Sequence, residues 1–121
     1  MNQTVSRYEY DKGLMKLSLF NENDENILYI SLSHELNCCE NFGMYIQNLN
    51  SKILNKRIQN IKVKQTRTEK EYSDGPKTTY TTTIKMDDDT TIKVVLYNEH
   101  NGYYTHDVNI TYDDVNILDS I

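Results

Sequence analysis

Apolar and polar side chains alternate with period two along much of the chain, the signature of half-buried β-strands. Met15, Leu17 and Leu19 share one face, with Lys16 and Ser18 on the other. Leu28, Ile30 and Leu32 alternate with Tyr29, Ser31 and Ser33, and the polar stretch Asn21 to Asn26 between the two runs reads as a hairpin loop. An earlier strand is predicted over Thr4 to Tyr10, ended by Asp11-Lys12-Gly13. Near Asn50 to Lys56 the spacing changes. Leu49, Ile53 and Leu54 predict one short helix, capped by Asn48 or Asn50. A long strand, Ile58 to Tyr72, follows, and a Gly75-Pro76 turn leads to another at about Lys77.

In the C-terminal half the apolar positions share a parity. Tyr80, Thr82, Ile84 and Met86, then Ile92, Val94 and Leu96, then Val108, Ile110 and Tyr112 are all even. If these three strands pair antiparallel over one buried face, even must oppose even, which requires loops of odd length. A loop of Asp87-Asp88-Asp89 pairs Ile84 with Ile92 and Thr82 with Val94. A loop of His100-Asn101-Gly102 would pair Leu96 with His106, Val94 with Val108 and Ile92 with Ile110, Gly102 taking the left-handed position of a bulge. The expected fold is mainly β (α+β): a single twisted antiparallel sheet of about six or seven strands with one short helix packed on it. Residues 1–121 are expected to form a single domain, with the tail from Asp113 to Ile121 fraying.

Composition narrows the class. The chain has 121 residues and a net charge of −5, and hydrophobic residues make up 37%. That supports one modest core and excludes collagen, coiled coil and a disulfide scaffold. No apolar run approaches the ~20 residues of a membrane span. The chain has no Ala, no Trp and one Pro, while Asn, Thr, Ile, Asp, Lys and Tyr dominate. This usage points to an AT-rich genome, such as that of a large DNA virus, a phage or a protist, because β-propensity accounts for Thr, Ile and Tyr but not for the Asn or the missing Ala. No secretory leader is read in Met1 to Tyr10. The only cysteines, Cys38 and Cys39, are adjacent. Their Cα atoms, about 3.8 Å apart, are too close for an ordinary disulfide, so a reduced, intracellular protein is expected.

Candidate chemistry is thin. His34, Cys38, Cys39 and Glu40, with His106 on another strand, could supply a zinc site or a thiol nucleophile activated by an imidazole. The spacing matches no standard zinc module, and a buried Cys beside a half-exposed one is the plainer reading. His106 is expected on the apolar face. From Lys52 to Lys70 there are seven basic residues against one acid, Glu69, and the rest of the chain carries 6 − 17 = −11. Lys62, Lys64 and Lys70 share a strand face with Thr66 and Thr68, a stripe that could track phosphates. Overall acidity argues for a solvated face instead, so nucleic acid is not the expected partner. Tyr8, Tyr10, Tyr29, Tyr45, Tyr97, Tyr103 and Tyr104 look partly outward, as interface tyrosines do. No P-loop, dinucleotide fingerprint, hydrolase elbow or calcium loop is present.

Through Cys38-Cys39-Glu40 and Asn101-Gly102-Tyr103-Tyr104 the chain resembles a small family of uncharacterised domains of phages and large DNA viruses. The resemblance spans Leu14 to Tyr112, least in Ile61 to Tyr80, and Asn37 stands where the family has Asp before the cysteine pair. It implies a viral setting, in host cytoplasm or virion, and a compact β-rich fold, but no activity, cofactor or partner. The leading expectation is therefore a non-enzymatic accessory protein that binds a host or viral protein or itself. It needs no cofactor, no membrane and no catalytic residue. Its candidate pocket is His34, Cys38, Cys39, Glu40, Asn101, Gly102, Tyr103, Tyr104 and His106. Zinc or thiol chemistry at His34, Cys38, Cys39 and His106 is the alternative. Nucleic-acid binding through Lys62, Lys64 and Lys70 is the third reading.

Overall fold

In a computed structural model, residues 3–33, 41–68, 77–99 and 105–121 are described, and they form two five-stranded antiparallel sheets around one core. The strands are β1 (Gln3–Thr4), β2 (Arg7–Asp11), β3 (Lys16–Phe20), β4 (Asn26–Leu32), β5 (Asn41–Gln47), β6 (Arg57–Thr68), β7 (Lys77–Met86), β8 (Thr91–Glu99), β9 (Asp107–Tyr112) and β10 (Val115–Ser120). One sheet runs β1-β6-β7-β8-β5 and the other β10-β9-β4-β3-β2. The fold is thus mainly β, as the alternation predicts, but a two-sheet sandwich replaces the single sheet.

The local registers follow the side-chain parity. Leu17 lies opposite Ile30 and Leu19 opposite Leu28. Asn21 closes their loop: its side-chain oxygen accepts the backbone N–H groups of Asn23 and Glu25, and Asp24 takes a left-handed φ of 61°. Ile84 pairs with Ile92 and Thr82 with Val94 across Asp87-Asp88-Asp89, whose last residue is left-handed at φ 68°. That loop is tied by Met86 N–H to the Thr90 carbonyl and by Lys56 to Asp88. Lys56 and the Thr90 N–H hold the Asp88 carboxyl down at about 2.

The expected β8–β9 hairpin does not form. Leu96 lies between Tyr80 and Met44, and Val94 between Thr82 and Ile46, while Ile92 faces Ile84. Val108 lies between Leu32 and Asp119, and Ile110 between Ile30 and Ile117. The chain changes sheet between Glu99 and Asp107 instead of turning back on itself. Parity survives because both sheets turn their even side chains from these strands to the same interior: Val94, Leu96, His106, Val108 and Ile110 are all buried. A period of two encodes which face is apolar, not which strand lies alongside.

Three further elements differ from expectation. Thr4 to Tyr10 is two strands, because buried Val5 is held by the Lys56 carbonyl on one sheet while Ser6 already bonds Phe20 on the other. The helix shrinks to one 3-10 turn, Ser51–Ile53, capped by Asn50, whose side chain accepts the Lys52 N–H. The tail is β10, not a frayed end. Ile121 is buried and exchanges two backbone hydrogen bonds with His106, at 2.7 and 2.9 Å. Strand β5 carries its own alternation, Phe42, Met44 and Ile46, toward the core.

Candidate functional site

Much of the expected pocket, His34, Cys38, Cys39, Glu40, Asn101, Gly102, Tyr103 and Tyr104, lies outside the described residues, as do Lys70 and the Gly75-Pro76 turn. Their described flanks do converge. Asn41 pairs with Glu99, Glu99 with Lys77 and Lys77 with Thr68, while the Ser33 N–H donates to the Asp107 carbonyl. The ends of segments 34–40, 69–76 and 100–104 therefore meet at one end of the sandwich.

His106 sits at that end, 0% exposed. Its Nδ1 lies 2.7 Å from the Ser33 carbonyl, which accepts only, so Nδ1 carries the proton. Its ring stacks on Phe42 from the facing sheet, with centroids 3.7 Å apart and planes at 19°. The buried Asn98 amide donates to the Ile121 carbonyl beside it. Ser33, Phe42, Asn98 and Ile121 thus join His106 in a cross-sheet cluster. Sequence reasoning did not name them, because the contact of Phe42 with His106 exists only once the sheets face each other. Ligation through Nδ1 would break the Ser33 bond. Among the described residues no group of three or more His, Cys, Asp or Glu side chains could hold a metal ion.

The basic stripe belongs to a larger surface. Lys62 and Lys64 project from the outer face of β6. Pairing places Thr83, Lys93 and Gln47 in one row with Lys62, and Thr81, Val95 and Tyr45 in the next with Lys64. The third row is Thr66, Thr79, Tyr97 and Gly43. The outer face is therefore a threonine ladder on β7 that ends in Lys77, with lysines from β6 on one flank and Tyr45, Tyr97 and Lys93 on the other. Lys62, Lys64 and Lys93 are exposed and make no ion pair among the described residues. The Lys77 ammonium lies 5.3 Å from the Tyr97 ring centroid. Glu99 stands on this face across from Lys77, while eight of the 18 acids lie in the turns 21–25, 87–89 and 113–114 around the opposite end. Cations near them are neutralised, Arg7 by Glu9 and Asp24, Arg57 by Asp87 and Lys85 by Asp89.

The tyrosines divide. Tyr8 and Tyr10 turn inward, opposite Leu19 and Leu17, and burial pushes the Tyr10 phenol up. Tyr45 is 48% exposed, 6.1 Å from Tyr97 between ring centroids, and the two shelter outward-facing Val95. The outer face of the other sheet holds a shallow hollow of about 710 Å³ with Ser31, Asn109 and Asp107 in its lining and exposed Leu14 and Leu118 beside them.

A family model described as a domain of unknown function, DUF7448, matches residues 3–110. No curated protein and no solved structure matches the chain.

Proposed function

The chain belongs to the DUF7448 family, whose description carries no activity, and from its surface we propose a non-enzymatic module that binds a nucleic-acid backbone on the outer face of β6-β7-β8-β5. The observation that carries this reading is a cluster of lysines on one face. Lys62, Lys64, Lys93 and Lys77 stand together there, the first three without ionic partners among the described residues and the fourth across from Glu99, in a chain whose net charge is −5. Net charge is a poor guide to this face, since eight of the 18 acids sit in turns at the far end and exposed charges beyond about 10 Å are screened at ordinary salt. An unpaired cationic face releases counterions from a polyanion, which is the sequence-independent driving force of nucleic-acid binding. An intracellular viral setting fits the residue usage and the Cys-Cys-Glu and Asn-Gly-Tyr-Tyr motifs.

The test is binding of labelled oligonucleotides and of heparin across a salt series. Affinity should fall steeply with salt and drop at least fivefold in Lys62→Ser with Lys64→Ser. No measurable binding of any polyanion at low salt would overturn the reading. A second reading, contact with a protein or a second copy, draws on Leu118, 69% exposed, and Leu14 at the hollow of the other sheet. Concentration-dependent sedimentation, abolished by Leu118→Ser, would support it.

A further inference from the structure

Resting on that reading, we infer that the ligand is single-stranded nucleic acid whose bases stack on Tyr45 and Tyr97. A merely cationic face would take any polyanion, duplex or sulfated sugar included. This face also carries an aromatic platform. Tyr45 and Tyr97 are neighbours on adjacent strands, with ring centroids 6.1 Å apart and planes at 51°. That tilt presents the two rings separately, and Tyr97 receives its base when the Lys77 ammonium over it turns to a phosphate. Tyr97 is held by its neighbours, while Tyr45 stands 48% exposed beside it. Tyr97 leans over Gly43, where a Cβ would lie 2.8 Å from its hydroxyl, so the missing side chain is what admits the ring. Val95 faces outward yet is only 8% exposed, because the two rings roof it. Tyr97 therefore has little rotamer freedom to lose on binding.

The cations bracket the platform. Lys93 lies two residues from Val95 on the row beside Tyr45, Lys77 stands over Tyr97, and Lys64 shares Tyr45's row across the threonine ladder. With strands about 4.8 Å apart, Lys64 is about 14 Å from Tyr45 along that row. That distance suits a backbone running diagonally over Thr81 and Thr79, phosphates toward Lys64 and Lys62, bases toward the rings. Duplex DNA hides its base faces inside the stack and can use only the lysines. The chemistry is therefore a single strand with exposed π-faces, read by stacking rather than by base edges, so no strong sequence preference is expected.

The experiment uses the full chain, a fluorescein-labelled oligothymidylate of about 20 nucleotides, the matching duplex and heparin. The single strand should bind tighter than the duplex, with a log–log salt slope of about −3 for four lysine contacts. Tyr45→Ala with Tyr97→Ala should weaken the oligothymidylate by about thirtyfold or more, at least fivefold for each of two stacked bases, and leave heparin within about twofold. Tyr45→Phe with Tyr97→Phe should restore the affinity, which separates stacking from a folding defect. The chain has no Trp, so tyrosine emission should be quenched by the single strand and not by heparin. If heparin and duplex bind as well as the single strand and the alanine variant changes nothing, stacking is refuted while the cationic reading stands. If no polyanion binds, both fall.

Discussion

The Tyr80 hydroxyl on β7 donates to the Asp119 carboxylate on β10, tying one sheet of the sandwich to the other. Burial, and then the Asp119 carboxylate, push the Tyr80 phenol up to about 12. A phenol whose folded value is raised contributes stability that is complete below pH 10 and is lost as pH climbs from 10 through 12. Tyr80→Phe should cost about 1 kcal/mol at neutral pH. It should also flatten the fall in stability between pH 10 and 12 relative to the parent, measured by urea unfolding. Equal slopes in the two proteins would mean that the bond does not form.

Thr82 sits in the middle of the core, 1% exposed, and its hydroxyl has no hydrogen-bond partner among the described residues. Its neighbours across the strands are Val63 and Val94. Removing an unmet buried hydroxyl while keeping the branched shape recovers its desolvation cost. Thr82→Val should therefore raise stability by about 1 kcal/mol. A loss on denaturant unfolding would show that the hydroxyl is satisfied.

His106 reads as a structural clasp in this geometry. It joins Ser33 through Nδ1, Phe42 through its ring and Ile121 through its backbone. His106→Ala should destabilise by about 3 kcal/mol, combining lost packing with an abandoned carbonyl. Oligonucleotide and heparin affinities of the still-folded fraction should not change, because the ring lies inside the sandwich and not on its outer face. Measuring both in one protein separates the clasp from a ligand role.

Strand β10 should be indispensable. Deleting residues 114–121 would strip β9 of one of its two partners, leave Val108 and Ile110 on a new edge strand, and remove the buried Ile121 and the Tyr80–Asp119 bond. Such an edge is both unstable and a template for aggregation. The truncated chain should lose cooperative thermal unfolding or precipitate, followed by circular dichroism and light scattering. A soluble, cooperatively folding truncation would show that the tail is an accessory.

Strand faces could be read from the sequence, but strand partners could not. Leu17 against Ile30 and Ile84 against Ile92 follow from parity and a short loop, both local. The chain changes sheets between Thr4 and Arg7, between Leu32 and Asn41 and between Glu99 and Asp107, and at the first and last of these alternation continues and gives no sign of the switch. The odd positions of Val115, Ile117 and Ile121 held the signal for β10, but one charged position, Asp119, interrupts it. The same limit governs the candidate site. Lys62 and Lys64 could be put on one face from β6 alone, but Lys77, Lys93, Tyr45 and Tyr97 join them only through three successive pairings. The net charge of the whole chain then argued against a surface whose local charge is of the other sign.

Gly43 is the position where that surface can be perturbed without touching any lysine or tyrosine. Its backbone is not left-handed, so an alanine is accommodated by the strand itself. The added Cβ would meet the Tyr97 hydroxyl at 2.8 Å, and the far end of a half-exposed side chain yields more easily than backbone. Gly43→Ala should therefore move the thermal midpoint by only a few degrees. The displaced ring should lose its place under Lys77 and beside Tyr45, and oligothymidylate affinity should drop about fivefold, the lower bound for one stacked base. Heparin binding, which needs the lysines alone, should hold. A large fall in midpoint with unchanged oligonucleotide affinity would mean that Tyr97 is locked for packing and takes no base.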